Sequence, residues 1–132
     1  MITLTKQFTL VVGWLLIVIG VLNFFIEPII VMPVHALFHI VAGALGVWAA
    51  KEHHVGYTMW VGIVGLALAV IGFAGVENIL GIIDLTVMFN YIHLILGLAG
   101  LVVYYLVRGK KATPFITGSG PMSPGLGGGL GV

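Results

Sequence analysis

Residues 55–76 read VGYTMWVGIVGLALAVIGFAGV, 22 positions between His54 and Glu77 without a charged side chain. A helix rises about 1.5 Å per residue, so roughly 20 residues cross a hydrocarbon core about 30 Å thick. In lipid each backbone N–H needs a partner within its own segment or in a closed barrel, and this run is too long and too uniformly apolar for a barrel strand. The same interval recurs along the chain. Lys6 and Glu27 enclose 20 uncharged residues, 28–50 supply 23, and 85–107 supply 23. The sequence therefore predicts an all-α membrane protein of four transmembrane helices, with spans at about 8–26, 31–50, 56–76 and 86–107 in one bundle over residues 1–111.

Composition agrees. Hydrophobic residues make up 61% of the chain and charged ones 7%, against about half and a quarter in soluble domains. Nine full charges cannot cover a water-soluble globule of this length. A nucleic-acid binder would need clustered basic residues against phosphate, and a net charge of +1 steers nothing from a distance. With no cysteine, disulfides, thiolate nucleophiles, Cys-ligated zinc and iron–sulfur clusters are excluded.

Orientation follows from the basic residues. Lys6, Lys51, Arg108, Lys110 and Lys111 fall on one side of a four-pass topology; Glu27, Glu77 and Asp84 fall on the other, which carries no Lys or Arg. The positive-inside rule then puts both termini in the cytoplasm. Trp48, Tyr57, Trp60, Tyr104 and Tyr105 are placed to anchor the cytoplasmic interface. After the first span comes Asn23-Phe24-Phe25-Ile26-Glu27-Pro28 rather than a small-x-small cleavage site, so that span is expected to be a retained helix. Residues 112–132 carry Pro114, Pro121, Pro124 and Gly127-Gly128-Gly129 without a charge, and are expected to form a flexible cytoplasmic tail.

The halves resemble each other. His39 to Gly46, HIVAGALG, matches His93 to Gly100, HLILGLAG, as H-x3-G-x2-G, and Gly13 and Gly20 match Gly65 and Gly72. Two tandem helical hairpins related by a parallel pseudo-twofold axis along the membrane normal are expected. Gly43, Gly46, Gly65, Gly72, Gly97 and Gly100 are read as notches for close helix packing, because lipid tails leave helices no hydrophobic drive to associate. The same clearance would admit a flat cofactor or a lipid.

Ionisable groups inside a span are costly and call for a function. His39 stands 12 residues before Lys51, roughly 18 Å from that edge, and His93 stands 15 before Arg108, roughly 22 Å. His35 lies one turn from His39, and Asn23, Glu27, Glu77, Asp84 and Asn90 complete an outer polar cluster. Three readings compete. In the first and favoured one, each imidazole pairs with a carbonyl, carboxylate or amide and fixes bundle register. In the second, His39 and His93 are axial ligands of a b-type haem or a chlorin, as in an electron-transfer or light-harvesting carrier. In the third, His35, His39 and the carboxylates form a divalent-metal or proton site, although no dedicated metal-ligand spacing such as H-E-x-x-H appears. His53 and His54 are expected to be solvated loop residues. Gly127 to Gly129 has neither the preceding strand nor the Lys-Ser/Thr of a P-loop. No nucleophile–base pair is recognisable, and no span carries a row of charges to support a channel.

The quoted features, Gly20-Val21-Leu22-Asn23-Phe24, Phe38-His39 with Gly43 and Gly46, a Gly-rich third helix, and Ile92-His93 with Gly97 and Gly100, resemble a family of small bacterial four-helix integral membrane proteins known only as a domain of unknown function. The resemblance spans roughly residues 8–107. It implies fold and topology and supplies no activity. The expectation is a non-enzymatic accessory, structural or assembly subunit, with lipid and other membrane subunits or its own copies as partners, no nucleic acid, and no cofactor unless the haem or chlorin reading holds. A small ion or metal transporter using Glu27, Glu77 and Asp84 is the third alternative.

Overall fold

The computed structural model describes residues 3–26 and 32–109. Within them lie α1 (Leu4–Phe25), α2 (Pro33–Ala49), α3 (His54–Phe73) and α4 (Val87–Gly109), with two short strands, β1 (Asn78–Ile79) and β2 (Ile83–Asp84), before α4. Glu27, Lys110, Lys111 and the predicted tail 112–132 lie outside the described residues. Helices α1, α3 and α4 are long and apolar enough to cross a membrane.

Helix α2 has 17 residues, about 25 Å at the helical rise. It lies within the expected span of about 31–50. Pro33 sets the start, because its fixed φ and missing N–H suit the first helical position. Helix α1 begins earlier than expected because Thr3 caps it, its side chain accepting from Lys6 N at 3.3 Å. Helix α3 ends at Phe73 rather than 76. Gly75, at φ +96°, turns the chain there, with Val76 N donating to Ile71 O at 3.3 Å and Gly75 N to Gly72 O at 3.1 Å.

A short strand pair forms the connection to α4. Strands β1 and β2 pair antiparallel with Asn78 opposite Asp84. Asn78 holds the turn: its Nδ2 donates to Asp84 Oδ1 at 2.7 Å and its Oδ1 accepts from Gly81 N at 2.5 Å. Leu80 and Gly81 have φ of 56° and 70°, a region costly to side chains that glycine enters freely.

The interior is made of small residues and the exterior of large ones. Gly13, Gly20, Ala36, Gly43, Gly46, Gly62, Gly65, Ala69, Gly97 and Gly100 are buried, whereas Phe25, Ile95, Val11, Tyr105 and Trp60 are each at least 60% exposed. In water such a surface would be an aggregating patch. In lipid it is the expected arrangement, since close backbone contact is what binds the helices.

Helix α1 packs chiefly on α2, and α3 on α4. A Cβ on Gly43 would stand 2.5 Å from Gly13 O, and one on Gly97 would stand 2.6 Å from Leu66 N and 3.0 Å from Gly65 C. A Cβ on Gly100 would stand 2.9 Å from Gly62 N, and Gly46 fits under the Tyr57 ring. The hairpins are stitched together at the end bearing Lys6 and Lys51. There Thr5, Thr9 and Thr58 are fully buried. Thr9 Oγ1 lies 3.1 Å from Thr58 Oγ1, Thr58 Oγ1 donates to His54 O at 2.8 Å, and Thr5 Oγ1 meets His54 Nδ1 at 2.8 Å. His54 is thus not a solvated loop residue. It opens α3 and binds α1, while His53 stays exposed against Trp48.

Candidate functional site: a buried histidine triad over an apolar groove

Three imidazoles meet near the hairpin end of the bundle. His35 and His39 occupy successive turns of α2, so their side chains share one face. His93 reaches them from the second turn of α4. Ring centroids of His35 and His39 are 4.5 Å apart, and those of His35 and His93 are 6.1 Å apart with the planes inclined by 27°. Phe89 closes one side, its ring edge-on to His35 at 6.2 Å. One nitrogen from each of the three rings falls within 4.8 Å of the other two.

Burial makes this arrangement costly unless it is used. His35 is 3% exposed and His93 9%. The Nδ1 atoms of His35, His39 and His93 are buried without a hydrogen-bond partner among the described residues. An unsatisfied buried polar atom costs about 1–3 kcal/mol. The favoured sequence reading, in which each imidazole pairs with a nearby carboxylate, amide or carbonyl, therefore leaves those three atoms unexplained.

Tetrahedral ligands at about 2.0–2.1 Å from a zinc-like ion stand roughly 3.4 Å from one another. The three nitrogens, within 4.8 Å of one another, need draw together by at most about 1.4 Å to reach that spacing. Three imidazoles with a fourth position open are a known arrangement for zinc, and imidazole also suits copper, nickel and iron.

The other expected site residues are dispersed. Asn90 is buried beneath α3, where its side-chain amide fills the space a Cβ on Gly72 would need. Asn23 is buried near the end of α1. Glu77 is exposed at the foot of the hairpin, where its carbonyl accepts from Leu85 N at 2.8 Å. Asp84 is engaged by Asn78 on the hairpin. Of the expected outer polar cluster, His35 meets His39 and His93, and His93 joins the two histidines of the expected metal site.

Sequence reasoning missed the groove that leads to the triad. A cavity of about 470 Å³ runs between α2 and α3, lined by Phe38, Ala42 and Leu45 on one wall and Trp60, Val64 and Leu68 on the other. All three histidines lie at its hairpin end, under Ile83 of β2. Tyr57 closes the opposite end, its hydroxyl donating to Ala42 O at 2.9 Å. The nearest sequence signal was the clearance at the packing glycines, Gly65 of α3 among them, which reads equally well as packing. Compared with known proteins, the chain matches no family model, no curated protein and no solved structure.

Proposed function

We propose that this chain is a four-pass integral membrane protein that holds one divalent transition-metal ion on His35, His39 and His93. The observation that carries the proposal is the convergence of three imidazole nitrogens within 4.8 Å, together with the buried, unpartnered Nδ1 atoms of the same rings. In this reading α2 crosses with the other three helices, both termini lie in the cytoplasm of a bacterium, and the triad sits toward the outer leaflet. Basic residues on the Lys6–Lys51 side support that orientation.

Equivalent contacts support the tandem repeat. Gly13 meets Gly43 as Gly65 meets Gly97, and Gly20 packs on Ala36 as Gly72 packs on Asn90. His39 and His93 are the equivalent positions, and His35 is the ligand that breaks the symmetry. The bundle as a whole is read as an accessory or assembly component among membrane subunits, and its outward apolar faces fit lipid or such neighbours alike.

The test is a Co²⁺ titration of chelator-stripped protein in mild detergent. Co²⁺ bound by three nitrogens gives strong visible bands, expected at one ion per chain. His35→Ala and His93→Ala should each weaken binding by more than about 100-fold, since losing only a supporting partner of a metal ligand costs about 10–100-fold. Helical circular dichroism should be unchanged. Binding that is absent, or indifferent to both substitutions, refutes the metal site. Tag accessibility showing the termini on opposite faces refutes the topology.

A further inference from the structure

We infer that the groove between α2 and α3 binds a single-chain fatty acid, whose carboxylate takes the fourth position on the ion held by His35, His39 and His93; this rests on the metal site proposed above. The cavity of about 470 Å³ lies within the range of about 300–1,000 Å³ usual for small-molecule sites. From His35 to Leu45 it follows α2 for ten residues, about 15 Å at the helical rise. It is therefore a slot parallel to the helices, the direction in which an acyl chain lies in a bilayer.

The walls select the chain. Phe38, Ala42, Leu45, Trp60 and Val64 present carbon. Phe38, Leu45, Trp60 and Val64 are each about half exposed at the rim, so the slot opens sideways toward lipid rather than along the bundle axis. Glycine contacts clamp α1 to α2 and α3 to α4, whereas α2 and α3 meet mainly at their Tyr57–Ala42 end. That leaves room for one chain and not for the paired chains of a phospholipid.

The head is selected by charge. Three neutral imidazoles leave a divalent ion with its full double charge in apolar surroundings, and such a charge calls for an anionic partner. Asp84 neither lines the slot nor joins the three-histidine group, and its Oδ1 accepts from Asn78 Nδ2 at 2.7 Å. His35 and His93, more than nine-tenths buried with unpartnered nitrogens, stand at the end of the slot where a carboxylate head would arrive. An oxygen anion on an acyl tail satisfies head and walls together.

The experiment uses full-length protein loaded with Co²⁺ in a neutral sugar detergent. Dodecanoate is expected to shift the visible cobalt bands saturably, whereas dodecanol, which has the chain without the charge, and acetate, which has the charge without the chain, leave them unchanged at equal concentration. Ala42→Phe and Val64→Phe, each filling the slot from one wall, should weaken the dodecanoate response at least tenfold with cobalt loading unchanged. Normal cobalt bands that ignore dodecanoate, respond equally to acetate, or disappear as the ion is stripped overturn the inference and leave the metal site standing. An undiminished response in both slot variants also overturns it. Failure of cobalt to bind at all overturns the metal site and the inference together.

Discussion

Gly43→Ala tests how the first helical pair is held. A Cβ at position 43 would lie 2.5 Å from Gly13 O, 2.7 Å from Ile17 Cγ1 and 2.8 Å from Ile17 N. Ordinary contact begins near 3.4 Å, and two of these three atoms are backbone. Helices α1 and α2 must therefore part by about 1 Å along much of their contact, and overpacking of this kind costs about 1–3 kcal/mol. Replacing glycine by alanine inside a helix returns about 0.5–1 kcal/mol. The net expectation is a loss of about 1–2 kcal/mol. Gly56→Ala in α3 is the control, because nothing lies within 4 Å of its added carbon; only the helical gain of about 0.5–1 kcal/mol remains. Reversible unfolding in mixed detergent–SDS micelles, followed by circular dichroism, reads both. A Gly43→Ala protein as stable as the native one would refute close backbone packing of α1 on α2.

Two further predictions concern the polar groups. Thr58→Val removes a fully buried hydroxyl that bonds both Thr9 and His54 O, and should cost about 1 kcal/mol in the same unfolding assay; an unchanged midpoint would show that the threonine cluster does not join the hairpins. Metal affinity should fall as pH falls, because imidazole ligates only in its neutral form and protons compete for the same nitrogens. With three histidine ligands the decline should be steep, and cobalt titrations at stepped pH that gave constant affinity would contradict histidine ligation.

Much of the helical architecture was legible from where charges interrupt apolar sequence, because a crossing helix tolerates few of them. The helix ends were less legible. Pro33 and Gly75 carry clear local signals, yet a hydropathy interval blurs them by several residues. The strand pair around Gly81 rests on one amide side chain, Asn78, and two-residue strands leave no periodicity to detect. At the site, the spacing of His35 and His39 placed both on one face of α2. That His93 completes the group depends on how α4 settles against α2, a tertiary fact with no local signature. His54 was misread for a related reason: its partner Thr5 is 49 residues away. Threonines at positions 5 and 9 of an apolar helix were the available clue, since buried hydroxyls in lipid seek partners.

X-ray absorption of the zinc-loaded protein tests the histidine site most directly. The expected result is about three imidazole nitrogens at roughly 2.0–2.1 Å, with the outer-ring scattering that imidazole produces, and the loss of one such ligand in His93→Ala. A shell of oxygen atoms without imidazole scattering, or a spectrum unchanged by that substitution, would contradict it.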